Sequence, residues 1–276
     1  MVRKKVQDQK KKKSIDTKKN NSKEINSKKI VKKEKIENKK EKHSVFSKVI
    51  NIIKLIRVKH WIKNGLVFIP LICSKQIMAS NIINVILGFF SFSLIASTIY
   101  IINDLKDIEK DKLHPRKKNR PLASGAISKK EGIIIAILIF FISLVLNEYI
   151  FNFKLLNYGM IFILSYFVIN VLYSLKLKNV AIIDITLLAA GFILRVYYGA
   201  SLIDVEVSNW LFLTILNASF FLGLGKRRKE FLNAKDSRTV LEQYDENFLR
   251  EFQYLTLALV FVFYSLWTIE QNINYL

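Results

Sequence analysis

Long apolar runs, several near the ~20 residues a helix needs to cross a hydrocarbon core, alternate with short polar connections from Gly65 to Ile269. The stretch Ile133 to Leu146 is apolar except for Ser143, whereas a helix on a soluble bundle keeps one polar face toward water. The sequence therefore predicts an all-α, polytopic transmembrane helical bundle. Seven spans are legible: Gly65–Ala79, short or tilted and carrying Lys75, then Ile82–Ile102, Ile133–Phe151, Leu156–Leu175, Ala181–Ile203, Trp210–Leu224 and Phe252–Ile269. Such a chain belongs to an integral membrane protein.

Charge is segregated from these runs. The chain carries 44 Lys and Arg against 22 Asp and Glu, yet residues 1–42 alone hold 18 basic and 6 acidic side chains with few large apolar ones. Such a tract buries too little apolar surface to offset its chain entropy, so residues 1–43 are expected to form a disordered, Lys-rich tail. Two roles stay open for it, a solubilising segment or a tether to anionic headgroups. It lacks the apolar core and small-residue cleavage site of a secretory leader. The single Cys73 excludes an intramolecular disulfide and offers no metal-ligand pattern.

Counting spans puts segments 103–131, 176–180 and 225–251 on the same side as the N-terminal region. That side collects Lys106, Lys110, Lys112, Arg116, Lys117, Lys118, Arg120, Lys226, Arg227, Arg228 and Lys229, against Lys154, Asp204 and Glu206 opposite. Positive charge marks the cytoplasmic side. The expectation is an integral cytoplasmic-membrane protein whose working face, and whose tail, lie in the cytoplasm.

The most specific signal continues from the second span: Asn103-Asp104-Leu105-Lys106-Asp107-Ile108-Glu109-Lys110-Asp111. At about 100° per residue, positions 104, 107 and 111 fall within roughly a 60° arc of a helix. Three carboxylates on one face repel unless a cation neutralises them, and hard oxygen donors suit Mg²⁺, which bridges carboxylates to substrate phosphates. Lys106 and Lys110 project from another arc. Asn103, Asp104, Asp107 and Asp111 are thus the candidate metal ligands.

The spacing Asn-Asp-x-x-Asp-x-x-x-Asp after a membrane span resembles the first aspartate-rich motif of the UbiA superfamily of membrane prenyltransferases. Within it, the branch of decaprenyl-phosphate phosphoribosyltransferases is similar in five further places. They are Arg57 to Asn64; His114-Pro115 with Arg120-Pro121; Tyr173-Ser174 with Leu177-Lys178 and Asp184; Gly191-Phe192 with Arg195; and Gly225-Lys226-Arg227 with Glu230. The resemblance implies that residues 44–276 form one transmembrane catalytic domain. It also implies a bundle of nine spans, so that two beyond the seven counted are expected to be missing. The second aspartate-rich motif usual in aromatic prenyltransferases is absent, since the connection after the fourth span offers Lys176, Lys178 and only Asp184.

The resemblance implies Mg²⁺-dependent transfer of 5-phosphoribosyl from phosphoribosyl diphosphate to a polyprenyl phosphate. The rival of the same fold moves an isoprenoid from its diphosphate to an aromatic or other small acceptor. Charge favours the first: two phosphorylated substrates in a poorly solvated place need cations opposite the metal, and Lys63, Arg120, Lys178, Lys226 and Arg227 all fall on the same edge. Asp104, Asp107, Asp111 and Lys178 are the candidate catalytic residues; Lys63, Asn64, Arg120, Tyr173, Asp184, Lys226 and Arg227 are the candidates for holding substrate. Asp184 and Arg195 stand eleven residues apart, within about 20° of one helical face. For Asp184 a ribose hydroxyl, a second metal or an ion pair with a neighbouring helix all remain open, and Arg195 is read as structural. His60 and His114 are read as interfacial or loop-structural, since an anionic lipid phosphate needs no strong base. Nucleic acid is not expected as a partner, and a homo-oligomer is compatible with the sequence.

Overall fold

The computed structural model describes residues 47–154, 157–232 and 239–273; the tail expected over residues 1–43 lies outside them. The chain divides into two compact units, Met1–Ile52 and Ile53–Leu276. Residues 47–52 of the first are helical, and everything below belongs to the second. Every regular element among the described residues is helical. A 3₁₀ helix, Val58–Phe68, leads into α1 (Ile69–Cys73), followed by α2 (Ala79–Lys106), α3 (Ile108–Leu113), α4 (Lys129–Ile150), α5 (Tyr158–Leu175), α6 (Ile183–Ser201), α7 (Asn209–Leu232) and α8 (Glu246–Ile273).

Local chemistry sets the helix starts. Ser128 accepts from the Glu131 N–H while the Glu131 carboxylate accepts from the Ser128 N–H, a reciprocal cap that fixes the entry to α4. Asn157 caps α5 through the Met160 N–H at 2.7 Å, and Ser208 caps α7 through the Leu211 N–H at 3.3 Å. Each cap satisfies a donor that the first helical turn leaves orphaned.

Five of these helices, α2, α4, α5, α6 and the Glu246–Gln271 part of α8, are long and apolar enough to cross a membrane. The most apolar window of α2 is 61% buried and that of α8 only 6%, so α2 runs through the middle of the bundle and α8 lies at its rim. α7 falls short of the same hydropathy because its last turns carry Lys226, Arg227, Arg228, Lys229 and Glu230. Its ends nevertheless reach opposite ends of the bundle. Leu211, near its start, lines a small cavity with Cys73, Val205 and Trp267, while Arg227 meets Tyr173 and Asp184 at the far end of α5 and the start of α6.

The first expected span takes another form. Instead of one α-helix over Gly65–Ala79, the chain crosses as the 3₁₀ helix Val58–Phe68 and the five-residue α1, which Pro70 opens near its N-terminus. Arg57 touches Asp104 at one end, and Cys73 and Ser74 share the cavity at the other. A 3₁₀ helix rises about 2.0 Å per residue against 1.5 Å for an α-helix, so fewer residues cover the distance. Gly199 of α6 permits it: a Cβ there would lie 2.1 Å from the Val67 carbonyl oxygen. Only glycine lets backbone approach backbone so closely.

Small polar residues also join α2 to α4. Ser91 donates to the Ser143 carbonyl and Ser143 donates to the Ser91 carbonyl, both at 2.8 Å, an interhelical pairing suited to an apolar environment. Deeper, Phe92, Tyr166 and Tyr198 form an aromatic core with ring centroids 4.5 and 5.4 Å apart.

Candidate active site

At one end of the bundle the aspartate segment meets two arginines. The expected single helix through Asn103 to Asp111 is broken: α2 ends at Lys106, Asp107 takes φ −99° and ψ 13°, and α3 begins at Ile108. The i→i−4 bonds from Asp107 to Asn103 and from Asp111 to Asp107 persist across the break. Asp104 and Asp111 therefore still face one another. Both are buried, 3% and 4% exposed, while Asn103 and Asp107 are half-buried beside them.

Arg120 bridges the pair, with Nη1 donating to Asp104 Oδ1 at 2.9 Å and to Asp111 Oδ2 at 2.6 Å. Arg57 donates Nη2 to Asp104 Oδ1 at 2.5 Å while its guanidinium lies 4.9 Å above the Tyr100 ring. Buried carboxylates need such partners. His60 lies near Tyr100, with ring centroids 5.6 Å apart and planes tilted by 48°, and Lys63, three residues on, is exposed. Nδ1 of His114 accepts from the Arg116 and Lys117 N–H groups and shapes the loop.

Among the described residues no group of three or more His, Cys, Asp or Glu side chains is arranged to hold a metal ion. The donor set nonetheless suits one. Two hard carboxylate oxygens already converge on a single cationic atom, Arg120 Nη1, and Asp107 and Asn103 stand next to them in sequence. That chemistry fits Mg²⁺.

A second cluster lies at the same end. Lys106 at the end of α2 donates to the Ser174 carbonyl near the end of α5, at 3.3 Å. Beside it, the Tyr173 hydroxyl accepts from Arg227 Nη2 at 3.2 Å. Arg227 Nε donates to Asp184 Oδ2 and Nη1 to Glu230 Oε2, the latter at 2.6 Å. Neither Asp184 nor Arg227 is exposed at all. The other Asp184 oxygen accepts from the Tyr244 hydroxyl at 2.5 Å, and that hydroxyl accepts from the Ile182 N–H at 2.7 Å. Burial, then the bond to Asp184, raises the Tyr244 hydroxyl above the ordinary tyrosine pKa.

Of the alternatives open for Asp184, the structure takes the ion pair with a neighbouring helix. Arg227 is held within the same pair. Lys226 is exposed beside it, and Lys178 sits half-buried in the 3₁₀ turn Leu177–Asn179. Tyr244 was not legible as part of this group, because a lone tyrosine in a polar connection carries no spacing signal. Arg57 stood in the Arg57 to Asn64 stretch but had no assigned role; its place three residues before His60, on the basic edge, was the available signal.

Asn64 is drawn inward. It is 2% exposed, donates to Ser93 Oγ at 3.0 Å and accepts from Arg195 Nε at 2.9 Å. Arg195 also donates to the Gly191 carbonyl and, at 2.8 Å, to the Tyr166 hydroxyl, and lies 4.7 Å from the Tyr166 ring. The expected structural role of Arg195 thus acquires partners, and Asn64 belongs to its network.

An apolar groove of about 370 Å³ opens between α2, α4 and α5, lined by Thr98, Ile102, Leu105, Ala136, Phe140 and Phe167 among others. Leu105 places one end of it next to Asp104.

The sequence model described as the UbiA prenyltransferase family matches residues 68–270. Decaprenyl-phosphate phosphoribosyltransferase of Mycolicibacterium smegmatis is 30% identical over 81% of this chain and 72% of its own length. The protein of the same description from Corynebacterium glutamicum is 30% identical over 84% of this chain and 71% of its own. Among solved structures, a UbiA homolog from Archaeoglobus fulgidus bound to GPP and Mg²⁺ superposes with a TM-score of 0.64 at 18% identity, over 80% of this chain and 78% of that one.

Proposed function

The chain belongs to the UbiA prenyltransferase family and is an integral membrane transferase, and from that premise we propose that it moves the 5-phosphoribosyl group of phosphoribosyl diphosphate onto a polyprenyl phosphate. The observation that carries this choice is the burial of Asp184 against Arg227. With that carboxylate taken up by Arg227, the acidic motif left for a metal at this end is the Asp104 to Asp111 segment, which Arg57 and Arg120 already meet; Lys63, Lys178 and Lys226 are the further cations this reading assigns to substrate. Such an excess of cations suits two phosphorylated substrates better than one diphosphate and a neutral aromatic acceptor. The relatives described as decaprenyl-phosphate phosphoribosyltransferases support the same reading.

Asp104, Asp107 and Asp111, with Asn103, would hold Mg²⁺, as suggested by the Mg²⁺-bound structural neighbour. The chemistry such an ion would supply at these carboxylates is charge withdrawal from the leaving diphosphate. Arg57 and Arg120 face the diphosphate, and Lys63, Lys178 and Lys226 receive the lipid phosphate and the 5-phosphate. One C1–O bond to diphosphate breaks and one C1–O bond to the lipid phosphate forms. The attacking oxygen is already anionic, so no proton is removed and no side chain acts as a base. Catalysis rests on positioning and on charges fixed in advance. The apolar groove holds the start of the polyprenyl chain, its Leu105 end leading the lipid phosphate to the carboxylates. The basic end faces the cytoplasm by the positive-inside rule, where soluble phosphoribosyl diphosphate arrives.

Membranes containing the protein, incubated with labelled phosphoribosyl diphosphate, Mg²⁺ and a polyprenyl phosphate, should yield a labelled lipid. Absence of that lipid together with prenylation of an aromatic acid would establish the rival reaction instead.

A further inference from the structure

Arg120 stands where a cation between Asp104 and Asp111 would stand. One nitrogen, Nη1, serves both carboxylates at 2.9 and 2.6 Å. The two acids are almost wholly buried, so their charge is compensated by protein, here by Arg57 and Arg120 together. The two arginines differ in how they are held. Arg57 lies over the Tyr100 ring with 19% of its side chain exposed, whereas Arg120 is 29% exposed and comes from a loop. Pro121 follows it, keeping Arg120 out of the helical region, and its backbone is extended at φ −67° and ψ 144°.

A divalent cation competing for Asp104 Oδ1 and Asp111 Oδ2 brings two charges to a pair that the arginines already neutralise. The surplus is relieved if Arg120 leaves, and a guanidinium released beside a metal needs an anion to face. Diphosphate supplies it, with oxygens matched to the planar fork of arginine. We propose that Arg120 is an exchangeable counter-ion: it holds the two carboxylates together until metal and diphosphate arrive, then turns from carboxylate to phosphate oxygens. This rests on the metal-diphosphate reading above. It makes metal and diphosphate bind cooperatively, because each removes the obstacle to the other.

The test uses the full chain in detergent and Mn²⁺ as the probe, with free Mn²⁺ read by electron paramagnetic resonance, with and without inorganic diphosphate and corrected for the complex the two form in solution. In the unaltered protein diphosphate should tighten Mn²⁺ binding by about tenfold or more, a usual size for such coupling. Arg120→Gln should bind Mn²⁺ alone about tenfold more tightly than the unaltered protein and lose most of the coupling. Arg120→Lys keeps the charge and guards against loss of folding; it should shift in the same direction by less, since an ammonium on a flexible stem retains the charge but is placed less firmly between the two carboxylates than the planar guanidinium. Mn²⁺ affinity unchanged or lowered in both variants overturns the exchange while leaving the metal site standing. No Mn²⁺ binding by the unaltered protein, even with diphosphate, overturns the metal reading itself and the exchange with it.

Discussion

Asp184 and Arg227, 43 residues apart in the chain, form an ion pair in which neither side chain has any exposed surface. Removing one member of such a pair strands a buried charge, which costs about 3–5 kcal/mol. Arg227→Met should therefore lower the melting temperature of the detergent-solubilised protein sharply, and Asp184→Asn in the same chain should restore much of the loss. A phosphate-clamping Arg227 would behave differently, raising KM for a phosphorylated substrate with stability unchanged.

Tyr244 holds the start of α6 in an unusual conformation. Ile182 has φ 69° and ψ −50°, and the Ile183 N–H bonds back to the Ala181 carbonyl at 2.8 Å. This is a γ-turn of the rarer hand, strained for a β-branched residue. Tyr244→Phe removes the hydroxyl that links the Ile182 N–H to Asp184, and should destabilise by about 1–3 kcal/mol. Faster proteolysis between Lys176 and Ile182, with melting measured alongside, would report it.

The same hydroxyl sets a pH signature. Because its pKa is raised in the folded state, the contribution of Tyr244 is complete below the ordinary tyrosine value of about 10 and is lost as pH climbs above it. Stability measured from pH 8 to 11 should fall at the alkaline end, and Tyr244→Phe should show a smaller fall. Equal slopes for the two proteins would exclude this contribution.

Asp104→Asn should reduce turnover by about 100-fold or more, since each 1.4 kcal/mol of lost charge stabilisation is a factor of ten. Asp107→Asn, which removes no ion pair among the described residues, should leave the melting temperature nearly unchanged and raise the Mg²⁺ concentration needed for half-maximal rate. Retained activity in the double variant, at normal expression, would remove the carboxylates from the mechanism.

Ala136 lies in the wall of the apolar groove. Ala136→Phe should raise KM for a long polyprenyl phosphate about tenfold, the scale set by losing one or two methylene contacts, and leave KM for phosphoribosyl diphosphate unaltered. A parallel rise for both substrates would point to distortion of the bundle instead of a filled groove.

The fold was readable because membrane crossing is a local property: a run of apolar residues of the right length announces itself wherever it is placed. The same holds for the carboxylates, whose spacing alone brings Asp104 and Asp111 to one side. The first crossing was misread as an α-helix because hydropathy records length and polarity but not the 3₁₀ rise, and the room for it depends on Gly199, far along the chain. The break at Asp107 was equally invisible, since both backbone bonds around it remain helical in pattern.

What the sequence by itself determined, then, is the all-helical membrane bundle, the end at which charge gathers and the presence of an aspartate cluster there. Which cation answers which acid was decided only by the tertiary structure. Arg120 goes to Asp104 and Asp111, Arg227 to Asp184, and Arg195 reaches Asn64 across 131 residues. All three arginines look alike in a linear reading. Their partners follow from the depth at which packed helices hold each guanidinium: a buried charge must take the acceptors its neighbours present, whereas one at the edge stays available for exchange.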